Sequence, residues 1–233
     1  MYLADNGLSP YFAYAESFEV LPGIDPNTKN SYKPLEGKLY ETGIKYAPSF
    51  LDGYINLALF DLEQTNSLVS TGSGQQTQAG EVTSQGIELE GSVQATEALR
   101  LTAAYTYTDA KTNDTGNGDR QASLIPRHQA SFWGNYKVQQ GPVSGLEVGT
   151  GVRYIGSSVG IGAVDANYNP IYGSAQVPAP TVWDAMIGYD FAKNWRAQVN
   201  VNNLLNDTYV ASCDYYCYYG EPRSIVGCVN YRW

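Results

Sequence analysis

Polar and apolar residues alternate with period two over most of the chain. Leu99, Leu101, Ala103, Tyr105 and Tyr107 are interleaved with Arg100, Thr102, Ala104, Thr106 and Thr108. Ile87, Leu89, Gly91, Val93 and Ala95 are interleaved with Glu88, Glu90, Ser92 and Gln94. The same holds for Trp183–Phe191 and for Trp195–Asn202. A strand places successive side chains on opposite faces, so each run predicts one apolar and one polar face. Helical periodicity is almost absent. The pattern predicts about ten strands, near 8–20, 36–47, 53–65, 81–95, 99–109, 128–138, 146–157, 179–191, 194–204 and 222–233.

The expected strands are long. Several reach the ~9–11 residues that a tilted membrane strand needs, against ~5–6 in soluble sheets. Their connections alternate between short ones (48–52, 96–98, 139–145, 192–193) and long ones (21–35, 66–80, 110–127, 158–178, 205–221), the latter rich in Gly, Ser, Asn, Asp and Pro. Short turns on one side and long loops on the other are expected of an outer-membrane β-barrel. A soluble sandwich gives no reason for strict alternation. The predicted class is therefore all-β, an antiparallel transmembrane barrel wall. Leu101, Ile187, Val199 and Tyr231 should share its lipid face, and Glu88, Arg196 and Asn200 its inner face.

Aromatic residues sharpen this picture. Tyr107, Tyr154 and Trp183 fall at strand ends beside long connections, and Tyr136, Phe191, Trp195 and Trp233 beside short ones or at the C-terminus. Two belts of amphipathic rings mark two membrane interfaces. In the final strand Val229, Tyr231 and Trp233 alternate with Cys228, Asn230 and Arg232, an apolar face ending on an interfacial ring. The ending also resembles the C-terminal recognition pattern of bacterial outer-membrane barrels, which makes Val229, Tyr231 and Trp233 the candidate barrel-assembly signal and implies the assembly machinery and outer-membrane lipid as partners.

Composition excludes more than it identifies. Although 43% of residues are hydrophobic, no apolar run approaches the ~18 residues of a spanning helix. The formal charge of -9 makes nucleic acid a poor partner. His128 is the single histidine, and without a nucleophile beside it no catalytic site is expected. We assign it a structural polar role. The run Thr112–Arg120 lacks the acidic spacing and closing Glu of a calcium loop, so no metal is expected there. Cys213, Cys217 and Cys228 have no second CxxC or nearby histidine to complete a metal set. Their connectivity is not readable from spacing. Met1–Asp5 lack the basic start and apolar core of a signal peptide, and the natural N-terminus is expected to lie upstream.

Several stretches carry a family resemblance. They are LADNGLSPYFAYAESF (3–18), EGKLYETGIKY (36–46), VTSQGIELEGS (82–92), LTAAYTYTDA (101–110), IPRHQASFWGNY (125–136), GPVSGLEVGTGVRYIGSS (141–158), VNNLLNDTYVASC (201–213) and the ending VNYRW. Together, in order and over essentially the whole chain, they resemble TonB-dependent siderophore receptors, in the ferric hydroxamate branch that includes ferrichrome and ferrioxamine receptors. The resemblance implies a barrel of about 22 strands filled by an N-terminal plug. It also implies a TonB box that couples the receptor to the inner-membrane energising complex. Residues 1–233 would then be the C-terminal portion of the barrel, with plug and earlier strands upstream.

That family implies a ferric siderophore as transported ligand, no covalently bound cofactor and no enzymatic activity. Tyr215, Tyr216, Tyr218 and Tyr219, in the last long loop, are the candidate ligand contacts, because aromatic rings with hydroxyl donors suit a bulky ferric hydroxamate. The segment ASCDYYC resembles a disulfide-closed loop of that branch, which implies a Cys213–Cys217 bond and leaves Cys228 free. It departs from the branch in carrying Asp214 where an aromatic follows the first Cys, and in its shorter loop. The competing classes are a passive porin-like channel, and a barrel enzyme or adhesin.

Overall fold

The computed structural model describes residues 6–26, 28–70, 76–114, 118–166 and 170–233. Met1–Asp5, residues 115–117 within the Thr112–Arg120 run, and parts of the loops near 66–80 and 158–178 lie outside that set. The described residues form strands and no helix. In chain order the strands are β1 (Leu8–Glu19), β2 (Leu35–Tyr46), β3 (Gly53–Ser70), β4 (Gln76–Gln94), β5 (Leu99–Asp114), β6 (Gly118–Gln121), β7 (His128–Lys137), β8 (Leu146–Ile155), β9 (Ser158–Val164), β10 (Pro170–Val177), β11 (Thr181–Phe191), β12 (Trp195–Asn202), β13 (Val210–Asp214), β14 (Tyr216–Tyr219) and β15 (Ser224–Tyr231).

The ten expected strands make one antiparallel sheet in the order β1-β2-β3-β4-β5-β7-β8-β11-β12-β15. Neighbours in sequence are neighbours in space, as up-and-down hairpins require. β1 and β15 are the outer strands of this order, an open wall rather than a closed barrel.

Two things differ from expectation. β3, β4 and β5 run past residues 65, 81 and 109 into paired ribbons, and β3–β4 continues across a bulge around Asn66. The long connections also contain five short strands: β6 pairs with β5, β9 with β10, and β13 with β14. Backbone pairing continues beyond the segment that alternates. Alternation marks contact with an apolar medium, and a ribbon standing in water has no need of it. A smaller difference is that Trp233 lies beyond β15, fully exposed.

Register shows that the apolar faces join. Directly paired residues share a face. Tyr231 pairs with Trp195, Val199 with Ile187, Ile187 with Val148, and Val148 with Tyr136. The series continues through Leu99 on β5, whose face also holds Leu101, Tyr105 and Tyr107. It runs on through Leu89 and Leu57 to Ile44 and Pro10. Leu101, Ile187, Val199 and Tyr231 thus lie on one face, and Glu88, Arg196 and Asn200 on the other. From Trp183 to Phe191 this band covers about 27 Å along the strand, or roughly 20 Å of membrane normal at a ~40° tilt. At the short-turn end, Phe191 and Trp195 stack at 6.4 Å, and Trp195 and Tyr231 meet at 4.9 Å.

On the polar face, aromatic rings lie flat over glycines: Tyr11 over Gly43, Phe60 over Gly86, and Trp133 over a pair of them. Trp133 on β7 lies beside Gly149 and Gly151 of β8. A Cβ at Gly149 would come within 2.6 Å of the Trp133 ring, and one at Gly151 closer still. The glycines thus let the indole lie against the wall.

Candidate ligand-binding site

The last three long connections meet above the sheet. The β13–β14 hairpin contacts β9 and β10. Tyr215 N–H donates to the Ile161 carbonyl at 2.7 Å, and Leu124 N–H donates to the Val159 carbonyl at 2.7 Å. Ala175, Val177 and Cys213 form a small buried core, with Leu124 and Val210 packed against it. Three successive loops therefore share one apolar centre. Arg120 adds a lateral tie, its guanidinium 3.4 Å from the Tyr172 ring centroid.

The hairpin carries the candidate tyrosines. Cys213 lies opposite Cys217, and a disulfide joins them with α-carbons 4.0 Å apart. Tyr215 occupies the turn with φ 60°, a left-handed conformation held by its bond to Ile161. Tyr216 pairs with Asp214 and Tyr218 with Ser212, so alternation sets Tyr216 and Tyr218 on one side and Tyr219 on the other. All four rings are between 54% and 74% exposed, so the loop core does not use them.

The base of this loop is tied by asparagine. Asn203, just past β12, is 2% exposed and has φ 50°. Its Nδ2 donates to the carbonyls of Asp207 at 2.8 Å and Glu221 at 3.0 Å, and its Oδ1 accepts from Asp207 N–H at 2.9 Å. One carboxamide thereby joins both legs of the loop. Its own N–H donates to Asp184 Oδ1 at 2.9 Å. Asn206 Oδ1 accepts from Arg223 N–H at 3.0 Å, a second tie across the legs.

Below the loops, the polar face of the wall holds a charged network. Arg153 grips Asp184 with two bonds, of 2.6 and 3.1 Å. Nearer the short turns, Arg196 bridges Glu147 at 2.5 Å and Asp190 at 3.1 Å, and Lys137 reaches Asp190 at 2.7 Å. Asn135 also donates to Glu147. On the β1–β4 side, Tyr11 donates to Glu41 at 2.6 Å and Asn56 to Glu90 at 2.8 Å. A groove of about 360 Å³ opens on the polar face beside Thr106, Gln129, Ser131 and Arg153.

The other singled-out residues fall elsewhere. His128 lies on the apolar face at the loop end, its Nδ1 2.9 Å from the Tyr105 hydroxyl and its ring 5.2 Å from that of Tyr107. Val229 and Tyr231 share the apolar face, while Cys228 is a free, exposed thiol opposite Gln198 on the polar face. Sequence reading passed over Asn203, Asp184 and Arg153. A cluster of Asn directly after an alternating strand, NNLLND, was the available signal, because Asn tolerates left-handed backbone and bonds locally.

A family model described as TonB dependent receptor-like, beta-barrel matches residues 1–204. The chain is 38% identical over 240 residues to the ferrichrome outer membrane transporter/phage receptor of Escherichia coli strain K12, covering 99% of this chain and 31% of that protein. It is 36% identical to the ferrioxamine B receptor of Salmonella typhimurium strain SL1344, covering 99% of this chain and 33% of that one. Among solved structures, the ferripyoverdine receptor of the Pseudomonas aeruginosa outer membrane, bound to ferripyoverdine, superimposes with a TM-score of 0.81 at 22% identity, over 96% of this chain and 31% of that chain. The chain spans about a third of the length of the curated relatives it matches.

Proposed function

This chain belongs to the TonB-dependent receptor-like β-barrel family, and we propose that it is the C-terminal portion of the barrel of an outer-membrane receptor that actively imports ferric siderophores of the hydroxamate type. The observation that carries the reading is the loop cluster: four exposed tyrosines on a closed hairpin, at one end of a continuous amphipathic wall. The likeness to the ferrichrome and ferrioxamine B receptors supports the substrate class.

Each part has a physical role. The apolar face meets lipid, and the aromatic rows at its two ends sit at the interfaces. Tyr215, Tyr216, Tyr218 and Tyr219 offer ring faces to the ligand's carbon backbone and hydroxyl donors to its oxygens. The Cys213–Cys217 bond keeps the hairpin closed in the oxidising space outside the cell. Val229, Tyr231 and Trp233 present the pattern that the assembly machinery reads. The charged inner wall faces a plug supplied by the remainder of the receptor. Neither wall nor loops contain an energy source, and a ligand shifts a conformational equilibrium only through differential affinity. Release inward therefore depends on TonB, acting through a region outside these residues. No bound cofactor or catalytic step is needed.

The test is uptake of labelled ferric ferrichrome and ferrioxamine by cells expressing the full-length receptor, with and without TonB. We expect saturable uptake that is lost without TonB. Uptake that persists without TonB favours a passive channel. Uptake of a catecholate or haem but no hydroxamate retains the receptor class and discards the substrate.

A further inference from the structure

Arg153, Asp184 and Asn203 connect two places that sequence leaves unrelated. Arg153 borders the groove on the inner wall, together with Thr106, Gln129 and Ser131. Its two bonds orient the Asp184 carboxylate, which is largely screened from solvent. Asp184 Oδ1 accepts the backbone N–H of Asn203, and the Asn203 carboxamide joins Asp207 to Glu221. From those two legs the chain runs directly into the β13–β14 hairpin.

We propose that Arg153, Asp184 and Asn203 form a positioning latch that fixes the tyrosine-bearing loop relative to the inner wall and makes the loop sensitive to what occupies the groove at Arg153. Asn203 is the joint. Its amide donors and its acceptor are all used, and buried groups of this kind are costly to leave unpaired. Asp184 is the pivot, because a single oxygen serves both Arg153 and Asn203. A ligand oxygen that draws the Arg153 guanidinium into the groove weakens its hold on Asp184, and the loop base loosens. Asp184 and Asn203 position the tyrosines without touching the ligand, and Arg153 alone of the three faces the groove. The affinity readout below rests on the function proposed above; the exchange readout does not.

The experiment is hydrogen exchange of the full-length receptor in detergent, read over residues 205–222, with β11 and β12 as internal reference. Asn203→Gly is the decisive variant. It relieves the left-handed backbone while deleting the carboxamide, so a purely conformational role predicts unchanged or slower exchange. The latch predicts exchange faster by roughly tenfold or more in 205–222, with β11 and β12 still protected. Asp184→Asn keeps an acceptor for Asn203 N–H and should loosen the loop less than Asp184→Ala. Arg153→Gln should loosen the same segment from the groove end of the latch. Unchanged loop exchange in Asn203→Gly overturns the latch. Unchanged exchange in Arg153→Gln overturns its coupling to the groove. In parallel, Asn203→Gly should weaken ferrichrome binding by about tenfold with every tyrosine in place. A wild-type receptor that binds no ferrichrome overturns the substrate reading alone, while the exchange data still decide the latch.

Discussion

Ile187 pairs with Val199 across β11 and β12, and both side chains stay exposed, whereas Ala175, Val177 and Cys213 in the loop cluster are buried against one another. The wall has almost no interior. Its apolar residues form a surface that lipid must cover, and its cohesion comes from the backbone ladder, which has no competing water in a membrane. The loop cluster has its own small core, a disulfide and side chains that bond to backbone, as expected of chain folding in water. One polypeptide thus uses two solvents, and a given type of substitution should act differently in each.

The largest effect should come from placing a charge on the lipid face. Ile187→Arg should destabilise the receptor refolded in lipid vesicles by about 2–4 kcal/mol in denaturant titrations. Asn200→Arg, on the inner face, should cost under about 1 kcal/mol. Equal costs would contradict the assignment of faces. A smaller, local effect should follow removal of the hairpin disulfide. With Cys213 and Cys217 both changed to Ser, loop-closure entropy sets a ceiling of about 2 kcal/mol, felt in the β13–β14 hairpin alone. Proteolysis of the loop should quicken while the unfolding midpoint of the wall stays put. A shifted wall midpoint would mean that the two regions unfold together.

The smallest effect on stability should come from the tyrosines. Tyr216→Ala combined with Tyr218→Ala should change stability by no more than ~0.5 kcal/mol, because both rings are exposed. The same pair should reduce affinity for ferric hydroxamate by about tenfold in a fluorescence-quenching titration. Loss of stability together with affinity would make these rings packing residues.

How much of this was readable follows from the same division. The ten wall strands and their faces were legible because lipid on one side and a polar interior on the other impose alternation on Leu99–Thr108 and Trp183–Phe191. The ribbons beyond residues 65 and 109, and the hairpins β9–β10 and β13–β14, were not. Their buried positions are few and scattered, such as Ala175, Val177 and Cys213, and the bulges of β9–β10 break any simple period. The tyrosines stood out by composition, but their placement on a hairpin docked against Ile161 did not. Asn203 was half visible: the NNLLND run marks a left-handed, locally bonded turn, but its partners, the carbonyls of Asp207 and Glu221, are set by how the two legs of the loop come together.

The packing of Trp133 over Gly149 and Gly151 affects how far the polar face projects from the wall. An indole projecting from the polar face would occupy space on that side of the wall. Lying flat over two residues without side chains, it adds its area to that face while keeping the face smooth. A Cβ introduced at either glycine would turn the ring outward from the wall like a turnstile arm, without costing a strand.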